Sequence, residues 1–304
     1  MAISRTQLVK ELEPGLNALF GLEYKRYENQ HAEIYTTESS DRAFEEEVML
    51  SGFANAQTKA EGSGVAFDSA QETYTARYTH DTIALAFAIT EEAIEDNLYD
   101  RISSRYTKAL ARSMSNAKQV KAVTPLIDGL PSTDGFGSGD GVSLFNTAHT
   151  TVSGTNVKNT LTTQADLNET SLEQSLIDIA AMTDERGLRI AARGVKMIVP
   201  SANQFTAERL MKSQGRTGTA DNDINAIGSM GMIPQGYRVN NYLTDSDAFY
   251  IITDVPNGMK MFQRAPLKTA MEGDFDTGNV RYKARERYSF GVSDYRGIFG
   301  VEGA

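Results

Sequence analysis

Between Glu72 and Ile89 apolar and polar positions alternate with period two. Tyr74, Ala76 and Tyr78 point one way and Thr73, Thr75, Arg77 and Thr79 the other, and Ile83, Leu85, Phe87 and Ile89 continue the alternation. Ala43 to Phe53 is a second apolar-dotted limb. Between the limbs, Gln57 to Gly64 (QTKAEGSG) is small, polar and glycine-bearing, as a turn requires. The pattern predicts one extended hairpin over residues 43–89. A long hairpin is marginal alone in water, so this one needs a surface to rest on.

At Thr90 the period becomes helical. Thr90 is a good N-cap, and Glu91, Glu92 and Glu95 place negative charge at the positive end of the helix dipole. Ile94, Leu98, Ile102, Tyr106, Leu110, Met114 and Ala117 recur every three or four residues. The stripe predicts a helix to about Val123, before Pro125, of roughly 34 residues and about 50 Å. One face should pack on a sheet.

Ahead of the hairpin, Leu8, Leu12, Leu16, Leu19 and Phe20 have helical spacing, and Pro14 and Gly15 are read as breaking it. Residues 1–42 thus read as an arm with a short helix that lies on a neighbour, or as a frayed terminus. Beyond the long helix, residues 128–168 are rich in Gly, Thr and Asn and read as loop. Asn168 or Thr170 caps a helix from Ser171 to about Arg186, striped by Leu172, Leu176, Ile179 and Met182, with Gly187 as its stop. Strands are predicted at Val195–Val199, Val239–Leu243, Phe249–Thr253, Met259–Phe262, Leu267–Met271 and Val280–Phe290, with a helix at Asn203–Lys212 and a mobile loop at Gly215–Asn222. Helices and strands mix without regular βαβ repeats, which argues for an α+β fold.

Composition narrows the function. Hydrophobic residues are 40% and charged residues 23% of the 304, an ordinary globular balance. The net charge of −10 argues against a protein whose main task is gripping nucleic acid, although such a chain could line a space that holds DNA. There is no cysteine, which excludes disulfides and thiolate zinc sites. The three histidines, His31, His80 and His149, are far apart and read as surface or hydrogen-bonded core residues. The longest apolar run, Ile83 to Ile89, falls short of the ~20 residues of a spanning helix, and the first residues lack a signal-peptide core. The expectation is a chain made in the cytoplasm, with no membrane partner.

No motif for catalysis stands out. There is no phosphate loop and no HExxH. Gly135, Gly137, Gly139 and Gly141 open no helix and so make no dinucleotide fingerprint. GSGDG (Gly137–Gly141) is one copy of a motif that binds calcium only in tandem, and reads as a turn. The carboxylate groups at Glu45 to Glu47, Glu91 and Glu92, Asp245 and Asp247, and Asp274 and Asp276 read as solvated faces or turns. His149 beside Thr147, Thr150 and Thr151 is the one candidate for nucleophile activation, without a GxSxG elbow to support it. Asn168-Glu169-Thr170 reads as a helix cap before it reads as a glycan acceptor. Catalytic, cofactor and metal residues are therefore expected to be none.

Several runs together resemble a known family: LFNTAHT (Leu144–Thr150), SLEQSLIDIAAMTDERGLRI (Ser171–Ile190), VPSANQFTAERL (Val199–Leu210), GTADNDINAI (Gly218–Ile227) and EGDFDTGNVRYKARERYSFGVSDYRGIFG (Glu272–Gly300). They resemble the major capsid proteins of tailed bacteriophages, with the fold named after phage HK97, of the Mu-like major head subunit type. The resemblance implies an N-terminal arm at residues 1–42 and an E-loop hairpin at 43–89. It implies a P-domain with the spine helix at 90–128, an A-domain at 129–268 and P-domain closing strands at 269–304. The implied function is structural: self-assembly, as a homo-oligomer of pentamers and hexamers, into an icosahedral shell that encloses double-stranded DNA without sequence-specific binding.

The resemblance further implies a separate scaffolding protein, since the arm leaves no room for a fused scaffolding region, together with a portal and possible decoration proteins. It places the chain in the virion capsid, and in the host cytoplasm during assembly. Lateral salt bridges from RYKARER (Arg281–Arg287) to the acidic surface are expected. Some relatives join Lys to Asn covalently with help from a Glu, and Lys59, Asn279 and Glu286 are the weak candidate set here. The odd spacing of Asn279 and Glu286 puts them on opposite faces of a regular strand. The rival readings are an encapsulin-like nanocompartment shell of the same fold, a hydrolase using His149, and a tail-tube or decoration module.

Overall fold

A computed structural model describes residues 5–90, 92, 99–133, 135–215, 223–274 and 278–304. The chain opens with helix α1 (Arg5–Arg26), then β1 (Thr36–Ser39), β2 (Phe44–Leu50), β3 (Glu72–Thr79) and β4 (Asp81–Ile89). The long helix α2 (Tyr99–Asp128) follows, then β5 (His149–Thr150), β6 (Asn156–Val157), α3 (Glu169–Ala181), β7 (Gly194–Pro200), α4 (Gln204–Lys212) and α5 (Ala226–Met230). The closing strands are β8 (Tyr237–Asn240), β9 (Phe249–Thr253), β10 (Met259–Gly273), β11 (Val280–Val292) and β12 (Ile298–Val301).

Two four-stranded sheets carry the fold. The first has the order β1-β10-β11-β4, with β1 parallel to β10 and the other pairs antiparallel. The second has the order β12-β9-β7-β8, with only β7 and β8 parallel. Strands β2 and β3 pair as a separate hairpin. This is an α+β fold, as the element mixture predicts.

Helix α2 joins two cores. Its Leu110, Ala111 and Met114 meet Leu16 and Phe20 of α1 and Tyr282 and Ala284 of β11. Further on, its Ala122, Val123 and Leu126 enter the main core with the second sheet and with Leu172, Leu176 and Ile179 of α3. At 30 residues the helix is about 45 Å long, enough to reach both.

The structure departs from the sequence reading in several places, each for a physical reason. Helix α1 runs 22 residues straight through Pro14 and Gly15. The lost N–H of Pro14 is outweighed by burial of Leu16 and Phe20, each contributing roughly 1.5–3 kcal/mol. The arm helix therefore packs on the chain's own spine and sheet, where a neighbour was expected. Helix α2 likewise passes Pro125 to end at Asp128, because Ala122, Val123 and Leu126 hold its last turns in the core. Its expected start, with Glu91, Glu95, Ile94 and Leu98, lies outside the described residues, as do 216–222 of the expected mobile loop.

The predicted second hairpin limb is two strands. β3 pairs with β2, and after His80 the chain leaves the hairpin to pair as β4 with β11. His80 fixes the break by bonding Ser40 Oγ at 3.0 Å and Ser289 Oγ at 2.9 Å. The helix predicted to Arg186 stops at Ala181, because the Asp184 carboxylate accepts the Arg186 and Leu188 N–H groups and closes a turn. Gly187, at φ +83°, serves that turn. The strands predicted at Met259–Phe262 and Leu267–Met271 are one, β10, with register shifts on either side of Ala265 that absorb Pro266. β8 covers Tyr237–Asn240, beginning two residues and ending three residues before the predicted Val239–Leu243. The short β1, α5 and β12 are not anticipated by the pattern, nor are β5 and β6 within the segment read as loop.

Candidate functional site

The hairpin is anchored at its root and bare at its end. On its inner face Ala76 and Tyr78 pack against Phe262, and the Tyr78 hydroxyl lies 2.5 Å from Ser293 Oγ. Lys260, almost fully buried, pairs with Glu47 at 2.5 Å and Glu38 at 3.2 Å. Gly139, at φ +103°, lets the 137–141 turn pass beneath β3, where a Cβ would stand 2.5 Å from the Thr75 carbonyl. Beyond Leu50 the chain runs from residue 51 to 71 without strand pairing. Arg186 ties the returning end back, bonding Asp68 at 3.0 Å and the Ser69 carbonyl at 2.7 Å. Between these ties Leu50, Phe53, Val65 and Phe67 face solvent, Phe67 at 98% exposure. A second bare apolar group lies around α4 and α5: Phe205, Ile224 and Met230. Exposed apolar groups of this kind mark surfaces meant for contact.

The candidate cross-linking residues are not gathered within one chain. Lys59 sits in the exposed 51–71 segment and Asn279 precedes β11. Glu286 is buried on the opposite, helix-covered side of β11, where Lys118 approaches at 3.4 Å and the Tyr24 hydroxyl donates at 3.3 Å. Burial pushes the Glu286 carboxyl up, against the pull of the Lys118 ammonium.

His149 proves to be part of a packing centre. It is fully buried and stacks on Tyr295. Its Nδ1 lies 2.5 Å from Asp140 Oδ2 and its Nε2 lies 3.1 Å from Asn159 Oδ1. Both ring nitrogens are therefore taken, and neither is bonded to Thr147, Thr150 or Thr151. Burial raises the Asp140 carboxyl, but bonds from His149, Ser138 and the Val142 N–H prevail and hold it below the usual value. The GSGDG run is thus a turn built on an occupied carboxylate. The hydrolase reading loses its base, since catalysis needs that imidazole within reach of a nucleophile.

Asn159 and Arg296, which the sequence reading passed over, complete the centre. Asn159 Nδ2 donates to the carbonyls of Leu144 at 2.7 Å, Tyr295 at 3.1 Å and Ile298 at 3.4 Å. Its Oδ1 accepts the Asn146 N–H at 2.9 Å, and its carbonyl accepts the Gly300 N–H. One side chain thereby binds the LFNTAHT run to the closing SDYRGIFG run. Arg296, 3% exposed, bonds Glu185 at 2.5 Å, Asp294 at 3.3 Å and the Thr183 carbonyl at 2.9 Å. The other singled-out groups are structural as well. Asn168 caps α3 in a reciprocal box with Ser171, and Asp245 closes a turn on the Asp247 N–H. His31 and His80 are buried and hydrogen-bonded. Glu91 and Asp276 lie outside the described residues. Among the described residues no cluster of His, Asp or Glu could hold a metal ion.

Two sheets strung on one long helix, an anchored hairpin with a bare end and buried polar groups committed to packing within a hydrophobic core suit a subunit built for assembly. Residues 72–301 match the phage capsid protein family, and the chain belongs to that family. No curated protein matches it. Solved structures share the fold at low identity. The capsid of Myoviridae phage XM1 is 11% identical with a TM-score of 0.53, covering 89% of each chain. The capsid of an empty GTA particle is 15% identical with a TM-score of 0.53, covering 90% of this chain and 89% of that one. A virus-like particle from Pyrococcus furiosus is 10% identical with a TM-score of 0.51, covering 94% and 98%. The fold is that of the HK97-like phage capsids, and the chain is a structural major capsid protein that works as an oligomer in the virion capsid.

Proposed function

We propose that the chain builds a closed icosahedral shell around double-stranded DNA, with pentamers and hexamers as its units, and that it carries no catalytic activity. The observation that carries this reading is the hairpin: its root is pinned by buried contacts, while Leu50, Phe53, Val65 and Phe67 stay 61–98% exposed in their own chain. A neighbouring subunit supplies that cover, and many modest contacts of this kind sum to a stable lattice. The domain division follows the same logic, with an arm at 1–42, an E-loop at 43–89, a P-domain at 90–128 and 269–304 and an A-domain at 129–268. A separate scaffolding protein guides assembly in the host cytoplasm, a portal occupies one vertex, and decoration proteins can bind outside. An encapsulin-like storage shell is the second reading, favoured by the likeness in fold to the virus-like particle, and the neighbouring genes separate the two.

The test is sedimentation velocity on the Phe53→Ser/Phe67→Ser double variant beside the parent chain. The expected result is an unchanged monomer fold by circular dichroism with assembly lost or much weakened. Normal assembly by the variant would overturn the role given to the hairpin.

A further inference from the structure

Strand β11 has two unlike faces. Tyr282, Ala284, Glu286 and Tyr288 are buried beneath α1 and α2. Arg281, Lys283 and Arg285 stand exposed on the other face, and Arg287 extends their row at partial exposure. The register aligns small residues along the row: Ala84, Ala86 and Ala88 of β4 lie opposite Arg285, Lys283 and Arg281. On the other flank β10 sets Lys268, Ala270 and Glu272 opposite Arg285, Lys283 and Arg281. The result is a track of long cations with a low alanine wall on the β4 side and the longer Lys268 and Glu272 on the β10 side.

The single chain leaves most of this charge unanswered. Arg281 pairs with Asp274. Lys268, Lys283, Arg285 and Arg287 have no carboxylate within ion-pair distance among the described residues, and neither has Arg264, which bulges from β10 beside the row. The Nε atoms of Arg264 and Arg287 are also without an acceptor. His80, at the same end of the sheet, feels both guanidinium groups: burial and then Arg287 and Arg264 pull its imidazole down, with Glu45 opposing.

We infer that this cationic face of β11 is an interface that receives a carboxylate-bearing surface of a second copy of the chain. The inference rests on the shell reading and names a surface within it. Three observations favour a second copy. The chain carries a net charge of −10, so every other copy offers excess carboxylates at equal concentration. The cations repeat every second residue, about 6.7 Å apart, which is the repeat of same-side groups on any extended polypeptide. The alanine row of β4 lets a backbone approach from that side without displacing bulky side chains. Arg and Lys in such a setting give orientation and rate of association as well as affinity.

The experiment reverses two charges that make no ion pair among the described residues, in Lys283→Glu/Arg285→Glu, with Lys283→Ala/Arg285→Ala as the milder form. Circular dichroism and thermal melting establish that each variant folds, and sedimentation velocity measures assembly against protein and salt concentration. The expected result is a folded reversal variant that needs at least about tenfold more protein to assemble, an alanine variant in between, and parent assembly that weakens with added salt. A reversal variant that assembles like the parent overturns the inference while leaving the shell reading intact. Parent chain that never assembles, alone or with scaffold, counts against the shell reading itself. If the reversal spares assembly and abolishes retention on double-stranded DNA, the partner is nucleic acid and the second-copy assignment is wrong. Should the reversal variant fail to fold, the alanine variant carries the test alone, and its unchanged assembly overturns the inference equally.

Discussion

The imidazole of His149 lies flat on the ring of Tyr295, their centroids 3.8 Å apart and their planes 8° from parallel. The contact seals the LFNTAHT run against the closing segment, and Asp140 and Asn159 occupy both ring nitrogens. His149→Ala removes the stack and leaves Asp140 without its partner. The expected loss is about 3 kcal/mol, read as a lower urea midpoint at unchanged slope. Loss of a hydrolytic turnover at an unchanged midpoint would restore the enzyme reading.

Among the described residues, Arg296 is the one cation paired with the buried carboxylates Glu185 and Asp294. Arg296→Met strands both acids, and breaking such a buried pair costs about 3–5 kcal/mol. Equilibrium denaturation should show a loss of that size. A loss under about 1 kcal/mol would mean that water reaches these carboxylates.

Acid should loosen the arm. Gln119 Oε1 accepts the backbone N–H of His31 at 3.0 Å, so its Nε2, 3.0 Å from His31 Nδ1, is the donor and the imidazole there is the acceptor. Burial and then the Lys118 ammonium pull His31 down to about 4, from an ordinary 6.5. The folded value lies below the unfolded one, so this stability is complete above pH 6.5 and is lost as pH falls toward 4. The loss should be on the order of 3 kcal/mol and should flatten in His31→Asn, measured as melting temperature against pH. An equal acid slope in both chains would contradict it.

Arg186 holds the free end of the hairpin through Asp68 and Ser69. Because these groups are partly exposed and screened by solvent, Arg186→Ala should leave the global unfolding midpoint essentially unchanged. It should, however, speed proteolytic cleavage within residues 51–71 severalfold. Unchanged cleavage would show that the segment is held elsewhere.

Much of the fold was legible because burial follows period. The sides assigned to Tyr74, Ala76 and Tyr78 against Thr75, Arg77 and Thr79 are the observed ones, and the Leu110–Met114 stripe lies where the helical spacing puts it. Even the break at His80 leaves a trace, since the apolar positions shift from even numbers at Tyr78 to odd at Ile83. What local pattern could not supply was tertiary compensation. Pro14 and Pro125 break isolated helices, yet here packing of Leu16, Phe20 and Leu126 outweighs them. Asn159 was invisible for a different reason. In a Thr- and Asn-rich segment nothing local separates an amide that binds three distant carbonyls from one in solvent. The cationic face of β11 was visible as composition in RYKARER, but the alanine row of β4 beside it required the strand register.

The most direct test of the central claim is electron microscopy of the purified chain after size exclusion, alone and with a co-expressed candidate scaffold. The account predicts closed shells, or pentameric and hexameric rings. A compact monomer under both conditions would contradict it.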